Sequence, residues 1–311
     1  MLTLPRGLRP RSQRANMRGR LVFMNAKDWF SRAQKEGWAI GAFNVDNMDI
    51  FKAVCLAGKN KKSPVMLEFS QGEVSYFGLK NIVDLTINAR KEYGIPILLN
   101  LDHAKNVADC IAAVEQAGLD DVHFDGSELP FEENVQQTKK VVESAHKKGL
   151  LVEAEIDKIA GSSEVHEEEL DIKLLKEAYT DPQKAAKFVK ETQVDILAAV
   201  FGNVHGTFPV QPDLDFALLQ RIREAVGETF LSLHGGSGIP ADQVKEAIRV
   251  GKIVKVNVNT EIRKAYHDAI SEKMDENPSE YTSYKLANDV ILAVAAVVEA
   301  KIDVFGSAGK I

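Results

Sequence analysis

The chain has 311 residues, 45% of them hydrophobic and 27% charged, with two cysteines and a formal net charge of −6. This composition suits a globular protein with ample core. It excludes a disordered chain, a collagen-like fibre, a disulfide scaffold and a cysteine-based metal cluster, and no apolar run approaches the ~18 residues of a membrane span.

The charge is unevenly spread. Residues 1–20 hold six arginines and no acid, which leaves an acidic remainder that should repel nucleic acid and anionic membrane. A phosphorylated metabolite must then be held by a local site. The leader reads in three ways: an organellar transit peptide, a nucleic-acid-binding tail, or an artefact of a true start at Met17 or Met24. Pro5 and Pro10 and the lack of helical periodicity set residues 1–20 apart as a tail, leaving residues 21–311 as one domain. Cys55 and Cys110 fit a reducing compartment, so the expected location is the cytoplasm.

From residue 37 onward, short runs rich in Val, Ile, Leu and Phe alternate with amphipathic stretches. Strands are expected at 38–43, 64–69, 96–101, 121–125, 150–155, 195–201, 229–233 and 252–258. They are near-continuous apolar runs, as parallel strands buried on both faces require. Between them lie helical patterns. Ile50, Ala53, Val54 and Ala57 share a face, with Asp46 or Asn47 placed to cap; Val107, Cys110, Ile111 and Val114 repeat the spacing; and 132–148 stops at Gly149. Eight strands each followed by a helix is the count of a single (β/α)8 TIM barrel. The rival, an open doubly wound sheet, lacks its phosphate loop here. Val290–Val298 is apolar nearly all round, so that helix must be buried in the core or against a partner.

In such a barrel the chemistry lies at the carboxyl ends of the strands. These ends read Asn44, Ser70, Asp102-His103, Asp125-Gly126-Ser127, Glu155, His205, His234 and Asn257. Three imidazoles, His103, His205 and His234, on strands 3, 6 and 7 suit a catalytic metal with open positions, typically zinc. His146, His166 and His267 read as surface residues, and His123 as a packed core histidine. Asp102, Asp125 and Glu155 share the mouth as ligands, acid/base groups or salt-bridge partners. HGGSG (234–238) and NVNT (257–260) each lead into a helix, and their backbone N–H groups suit a phosphate. Lys255 faces the same way as Asn257 and serves either to neutralise inward carboxylates or, less simply, as a Schiff-base lysine.

Taken in order, GAFNVDN, NLDHA, FDGSELPFEENV, VEAEI, YTDP, FGNVHG, LHGGSGIP and VNVNTEIRKAY resemble the class II, metal-dependent fructose-bisphosphate aldolases and the related tagatose-bisphosphate aldolases. The resemblance runs from about Asn25 to the carboxyl terminus. It implies that His103, His205 and His234 bind catalytic zinc, and that Asp125 and Glu155 belong to a second divalent site. Asp102 would handle the proton of the C4 hydroxyl. Asn44, Ser70, Gly206, Gly235, Ser237, Asn257, Asn259 and Thr260 would contact substrate, several at the dihydroxyacetone-phosphate end, with Arg263 near the other phosphate. A monovalent cation by the phosphate and assembly into homodimers or homotetramers are also implied. The reaction implied is reversible cleavage of fructose 1,6-bisphosphate to dihydroxyacetone phosphate and glyceraldehyde 3-phosphate.

Two departures stand out. After Glu155 the family reads ELGxxGG and then an acidic cluster; here EIDKIAGSSEVHEEE puts Ser163 at the usual loop glutamate. Glu164 is therefore the expected proton donor to the enediolate, with Glu167 to Glu169 behind it. Pro209 also replaces a lysine that some members carry after the strand-6 HG. The alternatives are an aldolase for tagatose bisphosphate or another phosphorylated ketose, a non-catalytic barrel that binds metal and sugar phosphate, and a metal hydrolase, which the GAFN end of strand 1 disfavours.

Overall fold

A computed structural model describes residues 24–311 of the chain; the arginine-rich leader lies outside the described residues. The first helix, α1 (Ala26–Glu36), is capped by Asn25, whose side chain accepts from the Asp28 N–H, and stops at Gly37 in the left-handed region. The barrel then builds through β1 (Ile40–Asn44), α2 (Met48–Lys61), β2 (Val65–Phe69), α3 (Gln71–Phe77), α4 (Leu79–Tyr93), β3 (Ile97–Ala104), α5 (Val107–Val114), β4 (Asp121–Asp125), α6 (Phe131–Lys148) and β5 (Leu151–Glu155). After β6 (Gly161–Val165), α7 (Ile172–Glu177) and α8 (Pro182–Thr192) come β7 (Ile196–Ala198), β8 (His205–Thr207), α9 (Phe216–Val226), β9 (Phe230–Leu233), α10 (Ala241–Gly251), β10 (Ile253–Val258), α11 (Thr260–Glu276) and α12 (Ser283–Phe305).

Eight parallel strands close in the order β1-β10-β9-β7-β5-β4-β3-β2, and all eight expected strands are present. The expected helices form too. Of the two proposed caps for α2, it is Asn47 that accepts from Asp49 and Ile50; Gly149, at φ 76°, ends α6.

Two strands were not expected. β6 and β8 form a separate parallel pair outside the barrel wall, with Gly161 opposite His205 and Val165 opposite Thr207. The expectation that His205 ends the sixth barrel strand is therefore corrected. That strand stops at Ala198, because the next backbone groups bond elsewhere. The Val200 N–H donates to Thr180 Oγ1 at 2.9 Å, and the Phe201 N–H to Asn203 Oδ1 at 2.9 Å.

Alternation along the strands gives the barrel interior three layers. The amino-terminal layer is apolar: Ile40, Ala42, Met66, Leu98, Leu151, Ile196, Phe230 and Val254 pack with Trp29 and Phe30 of α1. Thus α1 plugs the bottom of the barrel, and Phe30 meets Phe230 at a ring-centroid distance of 5.7 Å. Above it lies a fully buried polar layer of Glu68, Asn100, Asp121, Glu153, Ser232 and Lys255. At the top stand Asn44, Asp102, His123, Asp125, Glu155, His234 and Asn257. The helices pack on the outer faces of the strands. Val290, Val294, Ala295 and Val298 of the apolar stretch are buried within the chain, while Leu292 remains exposed. Among the described residues, no helix is long and apolar enough to cross a membrane.

Candidate metal and substrate site

The top layer opens into a cavity of about 220 Å³. Asn44, Asp102, His103, Asp125, Glu155, His205, Gly206, His234, Gly235, Ser237, Asn257, Asn259 and Thr260 all line it. Residues from every part of the chain thus converge as the strand ends foretold. Ser70 and Arg263 do not line it. The Arg263 guanidinium is held outside the cavity by Asp46, at 2.8 and 3.1 Å, and by Glu73 at 3.1 Å. Ser163 lines the cavity, whereas Glu164 and Glu167 to Glu169 are exposed. The period of two along β6 explains this: if Ser163 turns inward, its neighbour turns out.

The imidazoles are arranged by what lies behind them. His234 Nε2 is 2.8 Å from Glu153 Oε1 in the polar layer below. Burial alone would raise the Glu153 pKa, but the Lys255 ammonium outweighs it and keeps the carboxylate ionised, well below the usual carboxylate range. It therefore accepts from Nε2–H, which leaves His234 Nδ1 as the lone pair facing the cavity. Burial lowers the His234 pKa to about 4 against the opposing pull of Glu153, so this ring is neutral. His103 has the mirror arrangement. Its Nδ1 is 2.9 Å from Asp125 Oδ2 and its Nε2 is 3.1 Å from His234 Nδ1. Two ring nitrogens thus point at one spot. The His205 ring lies 5.1 Å from that of His103 and 6.0 Å from that of His234, centroid to centroid, and burial holds it neutral.

His103 itself sits at φ 48°, in the left-handed region, where a side chain costs strain. β3 loses register with β4 between Leu101 and Ala104, and this local twist lets both Asp102 and His103 reach the cavity. Burial opposes a charge on His103, yet Asp102, Asp125 and Glu155 together raise its pKa to about 10. A point of such negative potential is where a cation belongs.

Asp102 is 4% exposed. It accepts from Asn44 Nδ2 at 3.1 Å and Asn257 Nδ2 at 3.5 Å. Burial alone would raise its pKa; the charge on His103, the contact with His123 and the Lys255 ammonium overcome that and hold it well below the carboxylate range. It is an ionised carboxylate beside the imidazoles, free of a proton and facing the cavity.

Two residues that sequence reasoning did not place in the site belong beside it. His123 is fully buried, with Nδ1 3.5 Å from Asp102 and Nε2 3.8 Å from Glu155; it is a packed histidine, as expected, but packed against the catalytic candidates. Glu153 orients His234. Alternation was the available signal: His123 precedes Asp125 by two residues and Glu153 precedes Glu155 by two, so each faces inward with its neighbour.

The remaining wall suits an anion. Gly206 (φ 93°) and Gly235 (φ 66°) bring backbone to the cavity where side chains cannot fit; a Cβ at Gly235 would lie 1.9 Å from the Val204 carbonyl oxygen. Next to them, Ser237, Asn259 and Thr260 stand at the amino-terminal end of α11, where N–H groups and the helix dipole favour negative charge.

A family model described as fructose-bisphosphate aldolase class-II matches residues 24–310. The fructose-bisphosphate aldolase of Geobacillus stearothermophilus is 37% identical over 293 residues, covering 93% of this chain and 99% of that protein. That of Streptococcus pneumoniae serotype 4 is 37% identical over 303 residues, with 93% and 100% covered. Among solved structures, the YdjI aldolase of Escherichia coli K12 superposes with a TM-score of 0.77 at 31% identity, covering 92% of this chain and 99% of that one. A Coccidioides immitis protein provisionally named a fructose-1,6-biphosphate aldolase superposes with a TM-score of 0.80 at 31% identity, covering 92% and 97%. On the family model and these relatives, the chain belongs to the class II fructose-bisphosphate aldolases, metal-dependent lyases that act on phosphorylated sugars.

Proposed function

We propose that the chain is a zinc-dependent aldolase that reversibly cleaves fructose 1,6-bisphosphate into dihydroxyacetone phosphate and glyceraldehyde 3-phosphate. The observation that carries the reading is the buried Asp102 carboxylate, held by two asparagine amides beside two imidazole nitrogens that point at one spot. The residues fit a metal. Glu153 and Asp125 each occupy the rear nitrogen of one ring and leave the other nitrogen facing the cavity, as in carboxylate–histidine–metal arrangements. An imidazole set of this kind suits zinc.

His103, His205 and His234 would hold the ion, which would supply Lewis-acid withdrawal of electron density from the substrate ketone. The protein's own groups do the rest. Gly206, Gly235, Ser237, Asn259 and Thr260 bind the phosphate of the three-carbon unit and fix its register. Asn44 and Asn257 aim the Asp102 carboxylate. Asp102 takes the C4 hydroxyl proton as the C3–C4 bond breaks, so the C4 oxygen becomes the aldehyde and the bonding pair stays on C3. Proton return to C3 falls to a loop carboxylate, and Glu164 is the candidate; its side chain faces solvent, so this role requires the β6–β8 segment to rearrange.

The test is cleavage of fructose 1,6-bisphosphate before and after metal removal, followed by zinc addition. Loss on stripping and return with zinc supports the reading. Cleavage that survives stripping and is trapped by borohydride would overturn it and assign the step to an amine. Turnover of tagatose 1,6-bisphosphate with a higher kcat/KM would replace the substrate and leave the chemistry intact.

A further inference from the structure

Asp125 and Glu155 face each other across neighbouring strands, and with His103 they form a cluster of donor atoms that could hold an ion. Asp125 Oδ1 accepts from the Ser127 N–H at 3.1 Å and the Ser127 hydroxyl at 2.6 Å. Its Oδ2 accepts from His103 Nδ1 at 2.9 Å and Lys105 Nζ at 2.6 Å. A carboxylate offers about four acceptor positions, and here all are taken. Glu155 has Oε1 on the Ile159 N–H at 3.2 Å, while its buried Oε2 has no hydrogen-bond partner. One free carboxylate oxygen is a poor site for a divalent ion, which takes several oxygen ligands.

The partners of Asp125 differ in how readily they leave. Ser127 is fixed by the turn that follows β4. His103 must keep its Nδ1 on Asp125 if its Nε2 is to face His234. Lys105 is different: it stands on the β3–α5 connection, its side chain is 48% exposed, and it lines the cavity. We propose that the Lys105 ammonium is the second cation of this site, standing where Asp125 and Glu155 would otherwise bind a second divalent ion, so that the enzyme works with one. The inference rests on the reading of His103, His205 and His234 as the first metal site. It also gives Lys105 a positioning role: it neutralises Asp125 without drawing that carboxylate away from His103, as a divalent ion on Oδ2 would.

The test counts ions directly. The full-length chain, stripped of metal, is dialysed against excess zinc and then desalted, and bound zinc per chain is measured by mass spectrometry, with circular dichroism as the check on folding. Wild type should retain one zinc and Lys105→Met two, with the second lost again in Lys105→Met/Asp125→Asn; Lys105→Arg should retain one. Two zinc ions in wild type, or one in both wild type and Lys105→Met, would overturn the proposal. No zinc in wild type would instead overturn the three-histidine reading, and the second-site proposal would then be decided by whether Lys105→Met gains one ion over wild type.

Discussion

The two ends of the barrel interior use the same strands for opposite purposes. At the amino-terminal end, Trp29 and Phe30 of α1 close the barrel with aliphatic and aromatic side chains that carry no chemistry. At the carboxyl-terminal end, Asn44, Asp102, His123, Asp125, Glu155, His234 and Asn257 of the same strands supply carboxylates, amides and imidazoles. The layer between them is neither. Lys255 Nζ lies 2.7 Å from Glu68 and 2.5 Å from Glu153, with all three side chains fully buried, and Glu153 reaches up to His234. The difference teaches that apolar burial stabilises the cylinder, while the middle layer converts that rigidity into the orientation of one ring. The Schiff-base reading of Lys255 fits this geometry poorly: burial would lower its pKa, but Glu153, Glu68, Asp121 and Asp102 raise it above the usual lysine value, so the amine is a buried cation and no nucleophile.

The comparison breaks most sharply at the top. Asp102→Ala removes the proposed base, so kcat of the folded protein should fall by ~10²–10⁴, more than any loss of stability in urea accounts for. A variant that retained near-wild-type kcat would remove Asp102 from the mechanism. In the middle, Lys255→Met should strike both properties. It strands two buried carboxylates at a cost of about 4 kcal/mol, the penalty for breaking rather than replacing a buried pair, and it frees Glu153 from the position that fixes His234. Stability should therefore drop in urea titration, and zinc affinity of the folded fraction should drop with it. A loss of stability with unchanged zinc affinity would reduce the layer to packing. At the bottom, Phe30→Ala should cost about 3 kcal/mol through the cavity it leaves, with kcat/KM of the folded protein unchanged; any change in kcat/KM would mean that the plug and the mouth are coupled.

How much of this was legible depended on whether the physics was local. The eight strands were, because strands buried on both faces must be apolar throughout, and the polar residue closing each run marked the mouth. His205 was misplaced because Asp195–Phe201 is apolar to its end, and nothing in that run shows that Thr180 and Asn203 capture the backbone after Ala198. The pairing of β6 with β8 depends on two loops meeting, which no periodicity encodes. Glu153 and His123 could have been found by alternation. Lys105 could not, because its role depends on the lone pairs of a residue twenty positions away, and the left-handed backbone of His103 leaves no trace in composition.

The smallest effect concerns the shell outside the strands. Cys55 on α2 and Cys110 on α5 are fully buried between helix and barrel wall, and burial pushes both thiols from the usual 9 up to about 12. If this shell is as rigid as the plug, a disulfide reagent at pH 8 should label neither thiol in the native protein and both in denaturant, since the thiolate is the reactive form. The same shift sets a direction for alkaline stability. Between pH 9 and 12 the unfolded chain has lost protons that the folded chain keeps, so folding stability is complete below pH 9 and falls as pH rises through that window. Replacing both cysteines with alanine should flatten that part of the stability curve. Rapid labelling of the native protein would show instead that the helices lift from the strands on the timescale of the reaction, and that the rigidity of the barrel stops at its wall.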